Sequence, residues 1–159
     1  MAENIETLVE KYSDMIMRIA YQNCFNKSDS EDIVQEVFFK LIRNIQELKD
    51  EEHLKAWLIR VTINLSKDYN KSSWYKKVEP IEEKEASYNF DTEESEILNE
   101  LSKLKPIYRN TIYLYYYEGY KINEIAKILD LNENTVSSNL TRARKKLKEV
   151  LEVGGEIYA

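Results

Sequence analysis

Short polar side chains cluster near the start of a helix that the sequence predicts in the last third of the chain: Glu133, Asn134, Thr135, Ser137 and Ser138. Side chains of this size can approach the phosphates and base edges of a DNA major groove. Residues 142–148 follow with five Lys and Arg side chains. A basic run also suits a solvated helix C-terminus, but its place behind these polar residues favours phosphate contact.

A second polar stripe lies on a helix predicted near the middle of the chain. It comprises Arg60, Asn64, Lys67 and Lys71, whose offsets of 4, 7 and 11 place them on one face. The apolar residues at helical spacing predict the opposite, inner face: Leu54, Trp57, Leu58, Val61, Leu65 and Tyr69. We therefore expect Trp57 to lie in the core and the polar stripe to face outwards.

Carboxylates on an earlier predicted helix raise the alternative of a metal-dependent hydrolase. Glu31, Asp32 and Glu36 lie on one helix, but no second helix offers the Glu-x-x-His partner that would complete such a site. The single Cys24 and the single His53 also exclude a disulfide framework, a multi-Cys metal site and most His-based zinc sites. We therefore expect no metal, no cofactor and no enzymatic activity.

Composition limits the elements that must position these residues. The chain has 159 residues, 43% of them apolar and 33% charged, with only 3 Gly and 2 Pro. So few turn residues predict an all-α fold. No apolar run approaches the roughly 18 residues of a membrane span, and the acidic start is unlike a signal peptide. We expect a cytoplasmic protein that does not insert into a membrane.

The charge pattern and the loss of apolar periodicity divide the chain into two small helical modules. Residues 54–78 carry a net charge of +5 and residues 101–159 carry +3, whereas residues 79–100 carry −8. The sequence predicts a module over 1–75, an acidic flexible linker over 76–94 and a second module over 95–159. Two basic segments within an acidic chain allow a polyanion to bind at two places.

Helix signals place the boundaries within the first module. Apolar spacing predicts a helix from about residue 4 to 24, and Ser28–Glu31 has the pattern of a capping box that starts a second helix. Residues 47–54 then form a polar loop before the third helix. The predicted inward stripe of the second helix is Ile33, Val34, Val37, Phe38, Leu41, Ile42 and Ile45.

The second module contains the pattern of a helix-turn-helix. Pro106 suits the first turn of a helix that ends at Gly119, and residues 121–129, 130–132 and 133 to about 152 read as helix, turn and helix. Ala126 is small where the two helices approach, and Asn132 is a good N-cap. Asp130 stands where such turns usually have Gly, and Asp tolerates a positive φ. The predicted packing residues are Ile125, Leu129, Leu131, Val136 and Leu140.

Three segments resemble the bacterial sigma factors of the extracytoplasmic-function (ECF) type. EDIVQEVFFK (31–40) resembles region 2.2 of that family, KAWLIRVTINLSKD (55–68) resembles regions 2.3 to 2.4, and residues 119–148, which end TRARKKLK, resemble region 4.2. The resemblance implies a subunit that directs core RNA polymerase to promoters. Its first module would bind the polymerase clamp helices and open the −10 element, and its second would read the −35 element and meet the flap.

The resemblance also implies roles for residues at matching positions. Asp32, Gln35 and Glu36 match the positions that meet the RNA polymerase clamp in the family, and an acidic face fits that role because DNA would repel it. Asn64 and Asp68 would read the −10 element, with the strand backbone held by Arg60, Lys67 and Lys71, and an unstacked base would enter the loop 47–54. The expected −35 contacts are Lys121, Asn132, Glu133, Asn134, Thr135, Ser137, Ser138, Arg142 and Lys145.

Some alternatives stay open at this point. Ser137 and Asn139 replace residues that are usually basic in the family, which predicts weaker phosphate contact. The tyrosines of residues 113–120 fit core packing with hydroxyls at the rim, or a surface that an anti-sigma factor covers. A stand-alone helix-turn-helix regulator is the alternative function; it would need a dimerisation surface, and the sequence shows no coiled-coil heptads.

Overall fold

The computed structural model describes residues 4–73 and 99–153, and these residues form helices and connecting turns without a β-strand. The chain divides into two compact units, Met1–Asn89 and Phe90–Ala159. The all-α prediction is confirmed. The predicted linker, 76–94, lies outside the described residues.

Within residues 4–73, the first unit is a bundle of three helices. They are α1 (Ile5–Cys24), α2 (Lys27–Asn44) and α3 (Glu51–Ser73), and a 3₁₀ turn at Ile45–Glu47 follows α2. Each helix packs against the other two. Their apolar stripes therefore meet in one core, which a module of this size needs in order to be stable.

The helix caps in this unit are asparagines. The Asn4 side chain accepts a hydrogen bond from the Thr7 backbone N–H at 2.8 Å and starts α1, and Asn26 accepts one from the Asp29 N–H at 2.8 Å and starts α2. The capping box predicted at Ser28 is wrong, because Asn26 already satisfies a first-turn donor two residues earlier.

Several predicted core positions of this unit are not buried in the structure. Ile42 is 53% exposed, because α2 turns Ile33, Val37 and Leu41 inwards and Ile42 lies about a quarter-turn beyond that stripe. Trp57 is only half-buried. The inner face of α3 is instead completed by residues that include small polar ones: Leu54, Leu58, Ile59, Thr62, Ile63 and Ser66.

Buried Thr and Ser side chains explain why the inner face of α3 differs from the predicted one. The Thr62 hydroxyl donates to the Leu58 carbonyl at 2.6 Å, and the Ser66 hydroxyl donates to the Thr62 carbonyl at 2.7 Å. Because these bonds satisfy both hydroxyls within the helix, Thr62 and Ser66 can be buried at little cost. Trp57, Val61 and Leu65 are consequently displaced to the border of the bundle.

Gln22 is the main polar defect of this core. Its side chain is fully buried, and neither amide atom has a hydrogen-bond partner among the described residues. A buried amide without partners costs about 1–3 kcal/mol. We therefore expect Gln22→Leu to raise the free energy of unfolding of this unit by about 1–3 kcal/mol, measured by urea unfolding with tryptophan fluorescence.

The matched control for this prediction is Gln46→Leu, which makes the same change at an exposed position in the 3₁₀ turn. Surface substitutions usually change stability by less than about 0.5 kcal/mol. Equal stabilities of Gln22→Leu and the parent chain would show that the Gln22 amide is satisfied in solution.

The second unit contains the helices α4 (Pro106–Ile112), α5 (Ile122–Leu129) and α6 (Glu133–Val153). Pro106 occupies the first turn of α4, as predicted. A π-helical turn, Tyr113–Tyr117, continues α4 and was not predicted. Gly119 then adopts a φ of +76°, a conformation that suits glycine, and ends the segment where the sequence placed the stop.

Candidate nucleic-acid interface

The helix-turn-helix is present at the predicted residues. Helix α5 ends at Leu129, Asp130 takes the left-handed conformation with φ +56°, and α6 begins at Glu133. The Leu131 N–H donates to the Ala126 carbonyl at 2.9 Å and closes the turn. Asp130 therefore adopts the positive φ that glycine usually provides in such turns, as the sequence predicted.

The N-cap and the buried side chains of α6 fix its orientation against α5. The Asn132 side chain accepts from the Thr135 N–H at 2.7 Å, which confirms the predicted N-cap. Ile125, Val136 and Leu140 are buried between the helices, and Ala126 is buried where the backbones approach. Two differences are that Leu129 and Leu131 are only half-buried, whereas Ile128 is buried and was not predicted.

The structure presents most of the predicted −35 residues on the surface of this unit. Thr135 is half-buried, and the exposed residues are Lys121, Asn132, Glu133, Asn134, Ser137, Ser138, Arg142 and Lys145. Asn139 is 7% exposed, because it shares the inward face of α6 with Val136 and Ala143. Asn139 therefore does not present its amide to solvent as Ser137 presents its hydroxyl, and weaker phosphate contact stays a prediction.

The polar stripe of α3 is exposed as predicted. Arg60, Asn64, Lys67 and Asp68 all face solvent, whereas the side chain of Lys71 lies outside the described part of α3. Trp57 is two helical turns before Asn64 and shares its face. A half-buried indole therefore lies on the same face of α3 as the stripe.

The loop before α3 is shorter than the predicted 47–54. Glu47 belongs to the 3₁₀ turn and Glu51 opens α3, which leaves Leu48–Asp50 between them. Leu48 is buried and the Asp50 carboxylate accepts from the His53 N–H at 2.7 Å, so it caps α3. His53 thus lies in the first turn of the helix, where its Nδ1 accepts from the Lys49 N–H at 3.3 Å.

Glu51 ties this short loop to α1. Its carboxylate forms an ion pair with Lys11 and accepts a hydrogen bond from the Tyr12 hydroxyl at 2.9 Å. The hydrogen bonds from Lys11 and then Tyr12 lower the pKa of Glu51 below its ordinary value of 4.5. The contacts favour the charged carboxylate and hold the start of α3 against α1.

The lowered pKa predicts a pH dependence of stability. Because the folded carboxylate has the lower pKa, its stabilising effect is fully present above the unfolded value, near 4.5, and is lost as the pH falls through the folded value. We expect Glu51→Gln to flatten the decline of stability in this acidic range, measured by thermal unfolding across pH. The same acid sensitivity in parent and variant would refute the link, and Glu52→Gln, at an exposed neighbour, is the control.

The acidic face of α2 continues into an apolar surface. Asp32 and Gln35 are exposed and Glu36 is half-buried, and the same face then presents Phe39, which is 57% exposed, and Ile42. Sequence reasoning missed this apolar part, although Phe39 stands outside the inward spacing of Val37 and Leu41. An exposed face that is acidic at one end and apolar at the other is typical of a protein-binding surface.

Tyr69 lies close to the acidic part of this face. Burial raises the pKa of its hydroxyl, and the negative charges of Asp32, Glu36 and Asp29 raise it further. Because α2 and α3 also pack against each other, one bundle carries both the acidic face and the polar stripe.

Within residues 4–73 and 99–153, no group of three His, Cys, Asp or Glu side chains is arranged to hold a metal ion. In the same ranges, no helix combines the length and the apolar character that crossing a membrane requires.

Two family models match the chain at the two sites. Residues 8–75 match the model described as Sigma-70 region 2, and residues 94–147 match the model described as Sigma-70, region 4. The first match contains the acidic face of α2 and the stripe of α3, and the second contains the helix-turn-helix.

Curated relatives match over nearly the whole chain. RNA polymerase sigma factor SigV of Bacillus subtilis is 28% identical over 89% of this chain and 87% of its own length. The ECF RNA polymerase sigma-E factor of Haemophilus influenzae is 27% identical over 91% and 86%. ECF RNA polymerase sigma factor SigE of Mycolicibacterium smegmatis is 27% identical over 92% of this chain, which spans only 61% of that longer relative.

Solved structures show the same fold. The sigma factor RpoE from Bartonella quintana, in complex with the anti-sigma factor NepR, aligns with a TM-score of 0.72 at 21% identity and covers 93% of this chain and 96% of its own. CnrH, in complex with the cytosolic domain of CnrY, aligns with a TM-score of 0.69 at 22% identity and covers 94% and 88%.

Proposed function

The chain belongs to the sigma-70 family as an alternative sigma factor of the ECF type, and we propose the modules and side chains through which it acts in transcription initiation. Residues 1–75 form the module for the polymerase clamp and the −10 element, and residues 95–159 form the module for the −35 element. Residues 76–94 link them. The observation that carries the proposal is the order of the two matched regions along one chain, each with the exposed surface its role needs.

The −35 element is read by α6 in duplex form. Its first turns present the short polar side chains of Asn134, Ser137 and Ser138 to base edges, and Arg142 and Lys145 supply charge for backbone phosphates. An α-helix fits the major groove, and the rigid cap at Asn132 aims its N-terminal end at the bases.

The −10 element is held along α3 as a separated strand. Asn64 has an amide that can donate to and accept from a base edge, and Asp68 lies one turn further on the same face. Arg60 and Lys67 hold the phosphates, and Lys71 is assigned to the same backbone contact. The short loop Leu48–Asp50, held by Glu51, lies at the start of this helix and receives an unstacked base.

Core RNA polymerase is bound by α2. Asp32, Gln35 and Glu36 offer carboxylate and amide acceptors to a basic clamp surface, while Phe39 and Ile42 supply apolar contact. Separate helices therefore serve polymerase and DNA. The acidic face keeps nucleic acid away from α2, as like charges repel.

An inhibitor would act by covering these surfaces. One structural neighbour described above is a sigma factor in complex with an anti-sigma factor, and we extend such a partner to this chain as part of the proposal. We also propose that the chain acts in the cytoplasm, where core polymerase and promoter DNA are found.

A co-elution experiment tests the proposal. The chain and purified core RNA polymerase are mixed and separated by size, and the mixture is then tested for protection of promoter DNA against nuclease. We expect a stable complex that protects two separated elements. A chain that elutes apart from polymerase but binds duplex DNA alone would instead be a stand-alone regulator.

A further inference from the structure

An arginine on α6 is held between aromatic rings that the π-helical turn supplies. The Arg144 guanidinium carbon lies 5.5 Å from the ring centroids of both Tyr115 and Tyr116, and its Nε donates to the Tyr116 hydroxyl. The two rings meet edge to face at 4.9 Å. We call Tyr115, Tyr116 and Arg144 the arginine–tyrosine cluster.

The cluster is exposed, and the positive charge of Arg144 is available to bind an anion. Tyr116 is 58% exposed and Arg144 faces solvent. Within the described ranges no carboxylate lies in ion-pair distance of Arg144. Ring contacts and the hydroxyl bond fix the planar group while leaving its terminal N–H donors outside, so the entropy of ordering this side chain is lost on folding rather than on binding.

The position of the cluster points to DNA. Arg144 is two turns after Ser137 and one turn before Lys148 on a single flank of α6, whereas Arg142 points to nearly the opposite side. A helix with its side chains, about 10–12 Å across, fills a major groove about 12 Å wide, so its two flanks face the phosphates of the two strands.

An open groove of about 640 Å³ borders the same flank. Tyr115 lines it, together with Tyr120, Lys121, Asn123 and Glu133. Lys121 brings a second cation and Asn123 an amide donor to the groove, while Glu133 is the carboxylate on its α6 side. The hydroxyl, amide and cationic donors that surround the groove suit a phosphate oxygen.

We propose that the arginine–tyrosine cluster is a preformed clamp for a backbone phosphate of the −35 duplex, on the strand opposite to the one that Arg142 contacts. The inference rests on the proposed function; it gives Arg144 a specific place within the basic run 142–148 and adds Tyr115 and Tyr116, which the sequence pattern did not assign to DNA. Tyr116 is a positioning residue that acts through Arg144. A protein segment with an acidic, apolar face is the competing occupant of the surface.

The salt dependence of promoter binding tests the clamp. Holoenzyme is assembled from the full chain and core RNA polymerase. It is titrated against a labelled promoter duplex over a range of salt concentrations. The duplex is the DNA immediately upstream of a transcript that the same holoenzyme initiates. Each phosphate contact contributes about 0.9 to the slope of log K against log salt concentration. We expect Arg144→Ala to reduce that slope by about 0.9 and to weaken binding at low salt.

Three further variants show whether the charge of Arg144, its shape or its contact with Tyr116 accounts for the effect on binding. Arg144→Lys keeps the charge, so the slope should be retained while affinity falls, and Tyr116→Phe should weaken binding less than Arg144→Ala. Lys103→Ala removes an exposed cation far along the chain from the helix-turn-helix and should change neither quantity. Binding of each variant to core polymerase alone is measured in parallel.

The outcomes distinguish the clamp from the function on which it rests. An unchanged slope for Arg144→Ala would overturn the clamp while leaving the sigma factor assignment intact. An unchanged slope together with weaker core binding would overturn it in favour of a protein contact. Failure of the unsubstituted holoenzyme to bind any promoter would contradict the proposed function itself.

Discussion

Asn64→Ala is expected to lower open-complex formation by about 5- to 150-fold while leaving the affinity for core RNA polymerase unchanged, because a base-edge contact contributes about 1–3 kcal/mol to discrimination. The Asn64 side chain is exposed on α3, with Arg60 and Asp68 on the same face. Removing its amide deletes a donor and an acceptor without disturbing the core of the bundle. Permanganate reactivity of unpaired thymines measures the melted region directly.

The control for this prediction is Asn99→Ala, which removes an exposed amide from the second unit. It should leave melting unchanged. If Asn64→Ala melted promoters as well as the parent chain, the polar stripe of α3 would not be the reader of the −10 strand. If it also lost core binding, the stripe would instead belong to the polymerase interface.

Asp32→Lys is expected to weaken binding to core RNA polymerase by about 30-fold or more, the effect of a central residue in a protein interface. The side chain is exposed at the acidic end of the α2 face, so reversing its charge opposes a basic partner without altering the core. Fluorescence anisotropy of a labelled chain titrated with core polymerase measures the affinity. Binding of Asp32→Lys should also lose much of its salt dependence.

Phe39→Ser tests the apolar end of the same face and should weaken core binding with little change in salt dependence, since apolar contacts are not screened.

The control for Asp32→Lys is Glu10→Lys, which also reverses a negative charge but at an exposed position on α1. Equal losses for Asp32→Lys and Glu10→Lys would show a general effect of charge rather than a surface on α2.

The turn and the N-cap of the helix-turn-helix could be predicted from the sequence because local chemistry determines them. Asp130 tolerates the left-handed conformation, and the Asn132 side chain reaches the first turn of α6, so both features depend only on neighbouring residues. The π-helical turn at Tyr113–Tyr117 has no such local signal, and neither does the arginine–tyrosine cluster, which joins residues 28 positions apart in the chain.

Positions that depend on packing were predicted less well. Ile42 and Asn139 have side chains whose polarity suggests the opposite environment from the one the structure shows, because helix phase decides burial more strongly than hydropathy does. Trp57 was displaced to the border because Thr62 and Ser66 satisfy their hydroxyls within α3 and occupy the core. The exposure of Arg60, Asn64 and Lys67 was still predicted correctly, since they follow one helical spacing.

A run-off transcription assay tests the central claim most directly. Purified core RNA polymerase transcribes fragmented genomic DNA with and without the full chain, and the transcript starts are mapped. The account predicts new transcripts that appear only with the chain and share one sequence pattern at the −35 and −10 positions. Transcription that is the same with and without the chain, while the chain alone binds duplex DNA tightly at specific sites, would contradict it.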